Sequence, residues 1–91
     1  MKKYLVSFEY SNEPNNSLHK SIRTKLEKIS PDYWVQLFPD SIAIKTDINS
    51  VDELYSLLIP EADQLRLFIV EFVGIIANEQ RATNELDKFD Y

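Results

Sequence analysis

Tyr4, Val6, Phe8 and Tyr10 fall on one side of an extended backbone, with Leu5, Ser7 and Glu9 on the other. Period-two alternation with aromatic and β-branched content predicts a first strand over residues 3–10. The next six residues, SNEPNN, carry the Asn, Pro and Ser that favour turns. The period then changes. Leu18, Ile22, Leu26 and Ile29 lie on one helical stripe, with Ser17 as the cap and Lys20, Arg23 and Glu27 on the opposite side. Ser30 ends this helix, because Pro31 disfavours helical geometry in the residue before it.

Two more strands follow, Tyr33 to Phe38 and Ile42 to Thr46, joined by a turn through Pro39, Asp40 and Ser41. Ser50 and Glu53 have the spacing of a capping box and open a second helix that Pro60 closes. In that helix Val51, Leu54 and Leu58 are predicted to face inward. The run LRLFIVEFVG at 65–74 is the most apolar of the chain on both faces, which predicts a strand lying centrally in the sheet or covered twice. Glu71 interrupts it on the face of Leu67 and Ile69. If buried it needs a cation, and Lys45 is a candidate. Gly74, the one glycine, ends the strand. The tail reads two ways: IIANE as a short strand, or NEQRATNELDKF as a helix with Ala82, Leu86 and Phe89 on one side.

The predicted order is βαββαβ, an α+β, ferredoxin-like arrangement: a four-stranded antiparallel sheet with two helices on one face. Residues 1–74 form that domain, and 75–91 are a C-terminal extension. Two helices cover one face only. The other needs either a twin subunit packed sheet to sheet across a two-fold axis, or the tail folded back over it.

Composition narrows the chemistry. Ninety-one residues fit one domain. With no cysteine, neither a disulfide nor a thiolate nucleophile or zinc ligand is available. The single histidine, His19, excludes a one-chain site built on two imidazoles. It sits about 80° off the apolar stripe on a helix of 3.6 residues per turn, which predicts a boundary position. No apolar run nears the roughly 20 residues that span a bilayer, and the start lacks a leader pattern, so a cytoplasmic protein is expected. The net charge of −5 disfavours indiscriminate nucleic-acid binding. It is unevenly spread: residues 1–30 hold six Lys or Arg against three Glu, and residues 31–91 four against twelve Asp or Glu. Such asymmetry steers a protein partner or a second copy.

Three segments taken together, YLVSFEYSN at 4–12, LFPDSIAIKTDINSVDELY at 37–55 and LRLFIVEFVG at 65–74, resemble the small SinR-like proteins. These are related to the dimeric subunit of CRISPR spacer acquisition and to virulence-associated ribonuclease toxins. The most specific part is Asp40, Ser41, Lys45 and Thr46 with the acid-rich helix start that follows. The resemblance implies a homodimer of ferredoxin-like protomers. In members that cleave nucleic acid, an aspartate at the end of the first strand from each subunit holds one divalent metal, Mg2+ or Mn2+. The matching residue here is Glu9, so Glu9 is the candidate catalytic and metal-binding residue, shared across a dimer. Its extra methylene shifts the carboxylate by about 1.5 Å, one carbon–carbon bond, and magnesium tolerates little misplacement. Glu13, Ser7, Tyr10 and Ser11 are the residues near enough in sequence to assist.

Two functions are therefore expected from this sequence. One is a small homodimeric interaction or scaffold protein with a weakened or absent nuclease site and an acidic half that binds another protein. The other is a metal-dependent endonuclease acting on RNA or DNA through Glu9. Trp34 is a candidate for base stacking or, more simply, for core.

Overall fold

The computed structural model describes residues 1–9 and 17–91. Glu13, Tyr10 and Ser11 lie outside the described residues. The elements are β1 (Lys2–Phe8), α1 (Ser17–Ile29), β2 (Val35–Phe38), β3 (Ser41–Thr46), α2 (Val51–Leu57), a single 3-10 turn (Glu61–Asp63), β4 (Leu67–Phe72) and α3 (Gln80–Lys88). The chain is α+β. Its four strands form one antiparallel sheet in the order β2-β3-β1-β4, which fits a ferredoxin-like sheet.

The front face carries the main core. Tyr4, Val6 and Phe8 from β1 and Ile42 and Ile44 from β3 pack against Ile22 and Leu26 of α1 and Leu54 and Leu58 of α2. The two periodicities read from sequence meet here, because alternate strand residues and one helical stripe each supply half of the same interior. Ser50 caps α2 by accepting from the Glu53 amide at 3.1 Å. The Glu53 carboxylate returns to the Asn49 amide at 3.4 Å, one residue earlier than a standard capping box. Val51 is exposed, correcting its inward assignment. Leu54 and Leu58 do the packing.

The strand β2 is shorter than predicted, with Tyr33 and Trp34 in the turn before it. This leaves Lys45 of β3 without a strand neighbour on its β2 side, since the β2–β3 ladder reaches only Val35–Ala43. Ser30, buried at the end of α1, fills the gap. Its hydroxyl donates to the Lys45 carbonyl at 2.8 Å and accepts from the Lys45 amide at 3.2 Å.

The tail resolves as a helix. Glu79 caps α3 by accepting from the Arg81 and Ala82 amides at 3.0 and 2.8 Å. Ala82 and Leu86 turn toward the back of the sheet, where Leu86 meets Val35 and Ala43, with Leu5, Leu37, Phe72 and Ile75 around them. The tail therefore folds over the back face, but mainly over its β2–β3 half. The helix ends with Asp90 in the left-handed region, φ 61°. Its amide bonds the Asp87 carbonyl at 3.1 Å, and the Tyr91 amide bonds the Leu86 carbonyl at 2.9 Å, which completes a Schellman cap.

The end of the chain is pinned. Lys45 Nζ donates to the Phe89 carbonyl at 2.9 Å and the Asp90 carbonyl at 3.3 Å. It lies 5.4 Å from the Tyr33 ring centroid and 5.9 Å from that of Tyr91. Lys3 Nζ donates to the Tyr91 carbonyl at 2.9 Å, and the Tyr91 hydroxyl donates to the Tyr33 carbonyl at 2.7 Å. Burial pushes the Tyr91 phenol well above its usual range. Lys45 is thus committed to the tail, and the cation beside Glu71 is Lys2, at 3.7 Å.

The strand β4 corrects a second reading. It is an edge strand, not a central one. Its front residues Leu67 and Ile69 pack on the core, whereas Phe68 and Val70 on the back are 58% and 42% exposed. Both sides are apolar, yet only one is covered.

Two outcomes test this packing. Ser30→Ala removes the hydroxyl that bonds both backbone groups of Lys45 and lowers stability by about 1–3 kcal/mol, measured by urea unfolding. Glu61 is buried beside Lys25, whose Nζ lies 2.8 and 3.0 Å from its two oxygens. The Lys25 hydrogen bond holds the Glu61 carboxyl below its ordinary value of 4.5, although burial acts the other way. The pair therefore stabilises the fold fully above that ordinary value and stops doing so as pH falls through the lowered one. Thermal midpoints between pH 7 and pH 3 should fall further for the natural chain than for Glu61→Gln.

Candidate functional site

Glu9 follows β1 directly and shares the back-face parity of Leu5 and Ser7. Its amide donates to the Arg66 carbonyl at 2.9 Å, which extends the β1–β4 ladder by one pair. Glu9 and Arg66 are therefore neighbours at the end of the sheet. With Ser7, Phe8, Leu67 and Phe68 they line a shallow cleft of about 230 Å³. Glu9 is exposed.

The cleft opens onto a distinct surface. Phe38 pairs with Ser41, Ser41 with Ser7, and Ser7 with Phe68, so these four residues form one row across all four strands. The two central serines share a 3.0 Å hydrogen bond between hydroxyls, giving a low floor. The two outer phenylalanines are 68% and 58% exposed. Val70 continues the apolar strip along β4. Beside Phe38 a groove of about 540 Å³ runs under Ile75, Ile76 and Ala77. This row lies beyond the part of the back face that α3 covers.

The remaining candidates are dispersed. His19 is buried, edge-on to Phe8 with ring centroids 5.0 Å apart at 78°, so the boundary position read from the helical wheel is corrected. The approach of α1 to the end of β1 rotates that side chain inward. Asp40 sits in the β2–β3 turn and its carbonyl accepts from the Phe8 amide at 2.9 Å. Ser41 and Lys45 belong to the hydroxyl row and the tail anchor already described. Trp34 is half-buried against the front core. Of the residues proposed to act with Glu9, Ser7 is the one among the described residues, and it lines the cleft.

One residue of the site escaped the sequence reading. Arg66 lies 57 positions from Glu9 along the chain, and only the β1–β4 register makes them neighbours. Neither residue carries a local signal for the other.

Within one chain, the described side chains of the cleft do not by themselves complete a divalent-cation site. Mg2+ and Mn2+ want several oxygen ligands in near-octahedral array. The described side chains of the cleft supply one carboxylate, one hydroxyl and a guanidinium whose charge opposes a dication. Among the described residues no group of three His, Cys, Asp or Glu is placed to hold a metal. No family model matches the chain, and no curated protein matches it. No helix among the described residues is long and apolar enough to cross a membrane.

Because Glu9 is exposed, Glu9→Ala should change unfolding free energy by less than about 0.5 kcal/mol in urea titration. A larger loss would mean that the carboxylate holds the end of the sheet together.

Proposed function

We propose that this chain is a small homodimeric interaction or scaffold protein on a ferredoxin-like βαββαβ core, related to the SinR-like proteins and without a working nuclease site. One observation supports it above the others. The tail that shields the back face stops short of the Phe38–Ser41–Ser7–Phe68 row and of Val70, leaving Phe38 exposed on one side of the serine floor and Phe68 with Val70 exposed on the other. A large exposed apolar patch marks an association site. Glu9 and Arg66 at the rim carry opposite charges side by side. In this reading no metal is required. The acidic character of residues 31–91 supports a further protein partner of basic surface.

The second reading, a metal-dependent phosphodiesterase using Glu9 from both subunits, draws support only from the exposed place of Glu9 at the strand end.

Light scattering should give a dimer mass at micromolar concentration. Phe68→Lys with Val70→Lys should weaken association at least about 100-fold, on the order of 2.7 kcal/mol, while the thermal midpoint extrapolated to infinite dilution stays put. A monomer at all concentrations would end the homodimer reading. Incubation of the natural chain with RNA and DNA in Mg2+ or Mn2+ should give no cleavage. Cleavage abolished by Glu9→Ala would overturn the scaffold reading in favour of the nuclease.

A further inference from the structure

The two edges of the sheet are treated differently. The β2 edge is four residues long, carries a register irregularity between Gln36 and Phe38, and runs into Pro39. The Arg81 guanidinium also donates to the Gln36 carbonyl at 3.2 Å. Shortness, a bulge, proline and a covering cation are the devices that block strand addition. The β4 edge has none of them. Its six residues contain no proline, glycine or lysine, and its pairing with β1 is regular.

The outward groups of β4 follow from its register. The Glu9 amide bonds Arg66, and the Phe8 amide bonds Asp40 on the other side. Antiparallel ladders alternate, so Arg66, Phe68, Val70 and Phe72 spend their backbone groups on β1, while Leu67, Ile69 and Glu71 turn theirs outward. Among the described residues no strand pairs with them.

We propose that this edge docks the β4 strand of a second copy, antiparallel and centred on Ile69, to give a continuous eight-stranded sheet. The inference rests on the homodimer reading and specifies its geometry. With the two-fold at Ile69, the amide and carbonyl of Ile69 exchange with those of the partner's Ile69. Leu67 exchanges with the partner's Glu71, and Glu71 with the partner's Leu67. On the back face Phe68 lies opposite the partner's Val70, twice over, so the most exposed apolar residues of the strand become cross-strand pairs.

Charge selects the same arrangement. Arg66 and Glu71 stand at opposite ends of the strand. Antiparallel pairing brings each Arg66 to the end that carries the partner's Glu71, whereas parallel pairing sets like beside like. Flat stacking of back faces is obstructed, because α3 occupies half of that face and a helix with its side chains is about 10 Å thick.

The test exploits the absence of cysteine, which makes every single-cysteine variant unambiguous. Directly opposed, hydrogen-bonded residues have Cα atoms about 5.5 Å apart, within disulfide reach. Ile69→Cys should therefore cross-link two chains under mild oxidation at least about tenfold faster than Ser7→Cys, a back-face control. Amide exchange on the natural chain gives a second readout that needs no substitution. The Leu67, Ile69 and Glu71 amides should slow at least about tenfold between micromolar and millimolar protein. A dimer by light scattering in which these amides stay unprotected and Ser7→Cys cross-links faster overturns the edge geometry and leaves the homodimer standing. A monomer throughout overturns both.

Discussion

Four antiparallel strands make a layer with two apolar faces, and the distribution of cover over those faces governs this molecule. The front is closed by α1 and α2 through Ile22, Leu26, Leu54 and Leu58. The back is closed by α3, but mainly over the β2–β3 half, through Leu86 against Val35 and Ala43. Apolar area left in water costs roughly 25 cal/mol per Å² relative to burial. The open strip of Phe68, Val70 and Phe38 is therefore an energetic reservoir that association can draw on.

The cover stays where it is because its far end is fastened. Lys45 reaches the last turn of α3 with two backbone carbonyls as acceptors and two tyrosine rings around its ammonium. Phe72 and Tyr91 stack at 16° between ring planes, which ties the tail back to β4 as well. A nine-residue helix has little stability alone, so these tertiary anchors hold it. Lys45 stood out in the sequence as part of a segment with a functional resemblance. Its surroundings give it a structural role, at the place where an uncovered stretch of β3 needed both Ser30 and the tail.

The candidate site shows how far local pattern reaches. Glu9 at the end of β1 was legible, because alternation fixes its face and the following loop chemistry fixes the strand end. The guanidinium beside it was not, since Arg66 arrives through the pairing of the first strand with the last. That pairing sets a guanidinium-bearing residue beside Glu9 at the end of the sheet. His19 shows the same limit on a smaller scale. A helical wheel places it at a boundary, and the approach of α1 to Phe8 turns it into the interior.

By itself the sequence determined the four strands and the first two helices, the cap at Ser50 and the stripes that build the front core, because period, turn residues and capping are properties of neighbouring positions. It also determined that both faces of Leu67–Phe72 are apolar. Only the tertiary structure decided that this strand lies at the edge, that the tail is a helix covering half a face, and that Lys2 rather than Lys45 meets Glu71. Those outcomes depend on which distant segments compete for the same surface, and residues far apart in the chain settle that competition together.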